Sequence, residues 1–283
     1  MEWLVPFTLT VITASTPLLL AASGELITEK SGVLNLGVEG MMLVGAIAGF
    51  AVTASSGSAI LGIAAAVIAG VLMSLIFAFL TLTLMANQVA TGLALTIFGI
   101  GFSALVGSKF VGFAIEPLPG LSIPGISAIP IIGPILFGQD FLVYLSIAVV
   151  IGVGWFLAKS RAGLVLKAVG DSHHSAHAIG YSVIKIRYLA TMFGGAMAGL
   201  GGAYLSLSYT PMWAENMTAG RGWIALALVV FATWRPGRLL AGAYMFGLIS
   251  VMQLHAQGAG IHVPSQFMSM LPYLATIIVL VII

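Results

Sequence analysis

Cysteine is absent from this chain of 283 residues, and only 6% of its residues are charged. The absence of thiols excludes disulfides and thiolate metal sites. A soluble domain carries roughly 25% charged residues, so a chain this poor in charge cannot cover a surface that faces water. Hydrophobic residues make up 60% of the chain and the mean hydropathy is +1.15, which indicates an integral membrane protein.

The hydrophobic segments lack the alternation of polar and apolar residues that is typical of membrane β-barrel strands. They are continuous, and a run of about 20 residues crosses about 30 Å of hydrocarbon as a helix. The pattern predicts one all-α polytopic membrane domain over residues 1–283, with about 8–10 transmembrane helices, some of them short or broken. Nine segments are recognisable, at roughly 3–23, 38–54, 58–85, 88–107, 140–158, 188–208, 219–234, 238–252 and 265–283. The second, seventh and eighth are short for full crossings, and we expect the last two of these to be half-helices or a re-entrant pair.

A phosphate-binding G-x-x-x-x-G-K-[ST] motif is also missing, so we expect a separate chain to bind any ATP and Mg²⁺. His173 and His177 stand four positions apart, but His174 occupies the place of the glutamate in a metalloprotease motif. We therefore expect no metal site, no cofactor held by this chain and no enzyme chemistry. The first residues, MEWLVPF, are acidic and lead into the first span, so we expect no cleavable signal peptide.

The few basic residues are unevenly distributed between the predicted loops, which gives an orientation. If segment 159–187 is cytoplasmic, eight of the ten basic residues lie on the cytoplasmic side. Basic residues are enriched in cytoplasmic loops, so we expect the N-terminus outside and the C-terminus inside. The eight are Lys30, Lys159, Arg161, Lys167, Lys185, Arg187, Arg235 and Arg238.

The outer loop, residues 108–139, is rich in proline and also apolar. Its prolines disfavour a regular helix, and they are Pro117, Pro119, Pro124, Pro130 and Pro134. We expect this loop to pack on the outer mouth of the bundle as a lid or a docking surface.

The longest polar segment is the inner loop, residues 159–187. Asp171 or Ser172 is a favourable N-cap for a short helix that runs to about Ile179, and Gly180 is a favourable residue to end it. We expect one short helix here, outside the bilayer on the cytoplasmic side.

Three of the eight acidic residues lie within residues 24–42. Glu25 and Glu29 stand four positions apart at the inner end of the first span, and Lys30 follows them. We interpret these three residues as a water-exposed elbow at the membrane surface.

Glu39 differs from these two carboxylates because it lies in an apolar, glycine-rich run at the start of the second span. A charge near mid-membrane costs roughly 2.5–3.5 kcal/mol, so this carboxylate needs a polar partner, backbone donors or a water-filled cavity. Gly32, Gly37 and Gly40 favour a broken helix at this point, and Asn35 is a candidate cap. Asn35 and Glu39 are candidates for a substrate pathway, and bracing of the broken helix is the alternative for Glu39.

Four further polar residues mark the turn between the third and fourth spans and the start of the fourth. They are candidates to line the same pathway, namely Asn87, Gln88, Thr91 and Thr96. The alternative is that Asn87 and Gln88 satisfy helix ends and that the two threonines bond their own backbone.

The segment TPMWAENMTAGRGW contains an aromatic and charged group on the predicted outer side. One interpretation is an interfacial aromatic belt with an arginine–glutamate pair. The other is an outer gate and docking surface, formed by Trp213, Glu215, Asn216 and Arg221.

Several motifs, taken in order, resemble permease subunits of ABC importers. They are SGVLNLGVEGMMLVGA at 31–46, ANQVATGLAL at 86–95, AVGD followed by AIGY within 168–181, and RGWIALALVVF at 221–231. The likeness is to the simple-sugar and nucleoside branch of the branched-chain amino acid and ribose permease superfamily. Two features depart from the family pattern. Ser172 and His173 replace an Asn-Pro pair, and the chain stops at VLVII where a basic cytoplasmic tail is expected.

This resemblance implies an ATP-driven importer of nucleosides or a related simple sugar in the bacterial plasma membrane. It implies three partners: a second homologous permease, a cytoplasmic ATPase with two nucleotide-binding domains, and an extracytoplasmic substrate-binding protein or lipoprotein. It also implies that the short inner helix couples ATP hydrolysis to transport, through Gly170, Asp171, His174, Ala178 and Gly180. The alternative function is an ion-coupled secondary transporter of a small polar solute, with Glu39 as its ion site.

Overall fold

The computed structural model describes residues 4–121, 132–258 and 264–282, and these residues form helices and connecting segments. Isolated bridges are the only β-type pairing within these ranges. The helices are α1 (Leu4–Lys30), α2 (Val38–Ser56), α3 (Ala59–Ala78), α4 (Gln88–Gly107), α5 (Ile132–Phe137), α6 (Phe141–Lys159), α7 (Arg161–Asp171), α8 (His173–Ala178), α9 (Val183–Tyr204), α10 (Arg221–Phe231), α11 (Pro236–Gly258) and α12 (Ser265–Ile282).

Six of the described helices are long and apolar enough to cross a membrane, namely α1, α2, α3 with its extension to Thr83, α4 with its extension to Phe110, α6 and α11. This confirms the all-α polytopic class. The seventh predicted segment is indeed short, because α10 has only 11 residues. The expectation that the second and eighth segments are short was wrong. Helix α2 has 19 residues, and α11 has 23 because polar residues up to Gly258 continue it.

Helix α9 packs at the centre of the bundle through a face of small residues. An added Cβ at Gly45 of α2 would lie 2.5 Å from the Cα of Gly199. Added Cβ atoms at Gly195 and Gly202 would overlap the carbonyl oxygens of Gly70 and Met42 respectively. Small residues therefore allow α9 to contact α2 and α3 backbone to backbone, as small-x-x-x-small patterns do in membrane bundles.

The proline-rich loop packs against the segment that follows α9. The N–H of Ile115 donates to the carbonyl of Pro211 at 3.0 Å, and that of Leu118 donates to the carbonyl of Leu207 at 3.2 Å. Pro117 and Pro119 lie outside the helices, whereas Pro134 lies in the first turn of the short helix α5, where the missing N–H costs nothing. Pro124 and Pro130 lie outside the described residues. The expectation that this loop contains no helix is therefore wrong for α5.

The segment 159–187 contains two helices where one was expected. The predicted short helix is present as α8, with Ser172 as its N-cap and Gly180 just after it in a left-handed conformation at φ 90°. Helix α7 was not anticipated. It forms because Leu166 and Val169 are buried on one face of the helix while Arg161 is exposed.

Candidate functional site

The two ends of the bundle differ in charge and in the segments that they carry. The basic end carries Lys30, Arg187, Arg235 and the helices α7 and α8. The end of α1, the end of α7, the start of α9 and the chain after α10 contact one another there. The opposite end carries the proline-rich loop, which contacts the segment before α10 through the bridge between Val111 and Trp213.

The carboxylate of Glu39 caps helix α10 from another helix. Its Oε1 accepts the Thr218 hydroxyl at 2.5 Å and the Gly220 N–H at 2.9 Å, and its Oε2 accepts the Gly222 N–H at 2.6 Å. The side chain is 3% exposed. Gly220 has φ 83° and offers no side-chain cap, so Glu39 satisfies N–H groups that would otherwise be unpaired at this helix start.

The position of α10 explains why a carboxylate is tolerated in an apolar run. The N-terminus of a helix carries a partial positive charge, and an anion is stabilised there. An added Cβ at Gly222 would lie 2.5 Å from the Cα of Glu39 and 2.6 Å from its N. Glycine at this position therefore lets α10 approach α2 closely enough for these hydrogen bonds.

Residues 31–37, called the link below, fold back along α1 before α2 begins. The N–H of Asn35 donates to Glu25 Oε1 at 3.1 Å, and Asn35 Oδ1 accepts the Gly37 N–H at 2.9 Å. Asn35 is buried. It does not cap α2 as expected, because Gly37 is the N-cap residue and Asn35 instead forms the turn before it.

The interpretation of Glu25, Glu29 and Lys30 as a water-exposed elbow is wrong for Glu25, whereas Glu29 and Lys30 are half-buried. Glu25 is 1% exposed because the link covers it. Glu29 Oε2 accepts the indole N–H of Trp234 at 2.5 Å, and the Lys30 ammonium lies 5.9 Å from the centre of the Trp234 ring. These three residues therefore connect α1 to the link and to the end of α10.

Helix α4 holds the link from the other side. Gln88 Oε1 accepts the Leu34 N–H at 2.9 Å, and the Thr96 hydroxyl donates to the Leu36 carbonyl at 3.0 Å. Thr96 thus bonds another segment rather than its own helix. Gln88, Thr96, Asn35 and Glu39 therefore lie close together around the link, and we call this group of residues the contact region.

The other two predicted pathway residues differ from each other in their environment. Asn87 is exposed and caps α4, since its Oδ1 accepts the Ala90 N–H at 3.0 Å. Thr91 is half-buried, and no hydrogen bond of its side chain is found within the described ranges. Among the six candidates, Thr91 is therefore the one whose hydroxyl remains available to a solute.

The segment 210–220 runs from the opposite end of the bundle towards Glu39. Trp213 is buried beside Gly107, Ala46 and Phe50, whereas Glu215 and Asn216 are exposed.

Arg221, the first residue of α10, does not form the pair with Glu215 that one of the two interpretations predicts. Its guanidinium donates to the carbonyls of Met217 and Thr218 at 3.2 Å each, and it lies 5.3 Å from the centre of the Tyr209 ring. Glu215 and Asn216 are thus exposed, and Arg221 bonds the backbone of its own segment instead of Glu215.

Helix α8 lies at the basic end with most of its side chains exposed. Ala176 is buried and seats the helix on the bundle, while His174 and Ala178 are exposed. Asp171 is also exposed, and Ile179 is 71% exposed directly before Gly180. A short rigid helix with an exposed apolar tip can be contacted by another protein from outside the membrane region.

Helix α7 connects this exposed helix to the link. An added Cβ at Gly170 would overlap the carbonyl oxygen of Lys30 and lie 3.3 Å from the Gly32 N. The guanidinium Nε of Arg187 donates to the carbonyl of Ser31 at 3.0 Å. The end of α7 and the start of α9 therefore both contact the chain that leads to Glu39.

Sequence reasoning missed Glu25, Trp234 and Thr218 as members of this region. Their partners are 10, 205 and 179 positions away, so no local spacing connects them. One signal in the sequence is the number of carboxylates in residues 24–42. Each carboxylate that is buried in an apolar chain requires a hydrogen-bond donor.

Comparison with known proteins gives consistent matches along the chain. The family model described as the permease component of the branched-chain amino acid transport system matches residues 7–281. TsgC13 of Haloferax volcanii, whose name describes a glucose ABC transporter permease, is 44% identical over 227 residues, which cover 72% of this chain and 69% of the relative.

Two further relatives are described as permeases for nucleosides. The guanosine ABC transporter permease protein NupQ of Bacillus subtilis is 31% identical over 213 residues, covering 72% of this chain and 67% of the relative. The nucleoside ABC transporter permease protein NupC of Lactococcus lactis is 36% identical over 162 residues, covering 56% and 51%.

Proposed function

This chain belongs to the family of permease components of the branched-chain amino acid transport system, and from that membership we propose its cargo, orientation and mode of coupling. It is a membrane-spanning permease subunit of an ABC transporter. We propose that it forms the translocation path of an importer for a nucleoside or a related simple sugar. The similarity to permeases named for glucose, guanosine and nucleosides carries this proposal.

The polar groups of the contact region fit a neutral cargo. Glu29 and Glu39 accept hydrogen bonds from donors of this chain, and so does Glu25 Oε1, whereas the buried Oε2 of Glu25 has no hydrogen-bond partner among the described residues. The candidate groups without a hydrogen bond in the described part of the chain are uncharged, and they include the hydroxyl of Thr91 and the side-chain amide N–H groups of Asn87 and Gln88. Sugars and nucleosides carry hydroxyls that hydrogen-bond such groups, and they require neither a charged cage nor a proton relay.

The basic end faces the cytoplasm in this proposal, and the proline-rich loop faces outside. The distribution of basic residues supports it. An ATPase then contacts α8 at the basic end, and a substrate-binding protein contacts Glu215 and Asn216 at the opposite end. A second permease subunit completes the path.

Coupling follows the contacts described above. Closure of the ATPase dimer moves α8 through its exposed side chains, including His174 and Ala178. Helix α7 passes this movement to the link at Gly170, and the link positions Glu39. Because Glu39 holds the N-terminus of α10, movement of the link shifts this half-helix and changes access to the path.

Reconstitution in proteoliposomes tests the proposal. The chain is incorporated with its ATPase and its second permease, the substrate-binding protein is added to the outer side, and uptake of guanosine and of glucose is measured with and without ATP. We expect ATP-dependent uptake of one of these solutes. Uptake by this chain alone, driven by a proton or sodium gradient, would support the secondary transporter instead and contradict the proposal.

A further inference from the structure

A large apolar groove lies between α1, α6, α7 and α9, away from the contact region around Glu39. Its volume is about 870 Å³, within the range of roughly 300–1,000 Å³ that is typical of ligand sites. Ile27, Val153, Phe156, Leu166 and Phe193 line it. The groove is open to the side, because Gly152 and Leu189 on its wall are exposed.

The mouth of this groove is basic and aromatic. Arg161, the first residue of α7, and Tyr181, just after α8, are the polar members of the lining. Arg161 is exposed, and its guanidinium has no hydrogen bond or ion pair among the residues that the structure describes. Lys159 stands two positions before Arg161 at the end of α6, and it is exposed as well.

The character of α7, which lines the groove, indicates that the groove mouth is at the membrane interface. Helix α7 is amphipathic, with Leu166 and Val169 buried and Arg161 and Ala162 exposed, which is typical of a helix lying along a membrane interface. The groove extends from this helix along α6 and α9 into the membrane-spanning part of the bundle. Its apolar wall thus faces hydrocarbon while Arg161 and Tyr181 lie at the headgroup level.

We propose that this groove binds one anionic phospholipid, with an acyl chain along α6 and α9 and the phosphate at Arg161. The charge of the mouth favours an anionic headgroup, as in basic pockets between membrane helices. The phenol of Tyr181 supplies an additional hydrogen-bond donor to the same headgroup. The lipid fills apolar space between α7 and α9, two elements that contact the link, so its binding stabilises their arrangement.

Native mass spectrometry of the chain in mild detergent tests the proposal, with added phosphatidylglycerol or phosphatidylcholine as the probe. We expect the wild-type chain to retain phosphatidylglycerol in preference to phosphatidylcholine. Gly152→Leu places a bulky side chain in the acyl-chain part of the groove, and an added Cβ meets no atom within 4 Å there, so the variant should fold but retain less of the lipid. Arg161→Gln should reduce the preference for phosphatidylglycerol about fivefold, as expected for one charge at the membrane surface.

Two matched controls distinguish the groove from general effects. Gly101→Leu places the same side chain at an exposed, uncrowded glycine of α4, and Lys167→Gln removes a charge from α7 outside the groove lining. Both variants should retain phosphatidylglycerol as the wild type does. Equal retention by Gly152→Leu and the wild type, or equal occupancy of the wild type by the two lipids, would overturn the proposal.

Discussion

The carboxylate of Glu39 accepts the backbone N–H of Gly222 at 2.6 Å and so joins the first turn of α2 to the first turn of α10. Among the residues that the structure describes, every hydrogen-bond donor to this carboxylate comes from the segment 218–222. A glutamate in an apolar run thus acts as the cap of a half-helix that starts inside the bundle.

Glu39→Gln should destabilise the protein, because the amide NH₂ of glutamine cannot accept the Gly222 N–H. A buried donor left unpaired costs about 1–3 kcal/mol. Thermal unfolding in detergent measures the loss. Thr218→Val is the control, since it removes one hydroxyl and leaves both N–H bonds of Glu39 in place, and we expect a smaller loss of about 1 kcal/mol. Wild-type stability of Glu39→Gln would contradict the capping role.

Gly170→Ala should uncouple ATP hydrolysis from uptake, because its Cβ overlaps the Lys30 carbonyl and separates α7 from the link. The measurement is the number of solute molecules taken up for each ATP hydrolysed by the reconstituted transporter. Gly237→Ala is the matched control, because an added Cβ there meets no atom within 4 Å. An unchanged ratio in a folded Gly170→Ala protein would remove this contact from the mechanism.

Gly180→Val should also uncouple the transporter. Gly180 has φ 90°, and a β-branched residue is strained in this region, so the end of α8 is distorted. Gly112→Val is the control, because Gly112 has φ 84° at the opposite end and also lies in open space. We expect similar membrane levels for both variants, and a loss of coupled uptake for Gly180→Val alone. Loss in both variants would indicate backbone strain rather than coupling.

Thr91→Val and Thr96→Val should differ in their effects although they lie on the same helix. Thr96 donates to the Leu36 carbonyl, so its replacement should lower stability by about 1 kcal/mol. Thr91 has no such bond in the described part of the chain, so Thr91→Val should keep the stability of the wild type and raise the KM of uptake. An unchanged KM would exclude Thr91 from contact with the cargo.

Asn216→Gly and Glu215→Gln should weaken docking of the binding protein and leave the stability of the permease unchanged. Both side chains are exposed, and glycine at position 216 tolerates the local φ of 54°. Pull-down titration of the binding protein on reconstituted permease measures the affinity. Asp171→Asn, which alters the basic end, should leave this affinity unchanged. Wild-type affinity in both Asn216→Gly and Glu215→Gln would place docking elsewhere.

The amino-acid sequence by itself determined the class of the protein and most of its helices. Its low charge and continuous apolar runs require helices in a membrane, since only internal hydrogen bonding satisfies the backbone there. The short helix α8 was also predictable, because the capping residue Ser172 and the left-handed residue Gly180 act locally. The family resemblance came from short motifs, and the match over residues 7–281 confirmed it.

Only the tertiary structure decided what the carboxylates do. The position of Glu39 in an apolar run indicates that it needs a partner, but its partners lie 179 to 183 positions away, at the start of a half-helix. The position of Glu25 near a helix end is typical of exposed residues, but the folded-back link covers it. Glu29 is half-buried, and it accepts the indole N–H of Trp234. Hydrogen bonds between distant segments depend on how helices pack, and local sequence patterns do not encode that packing.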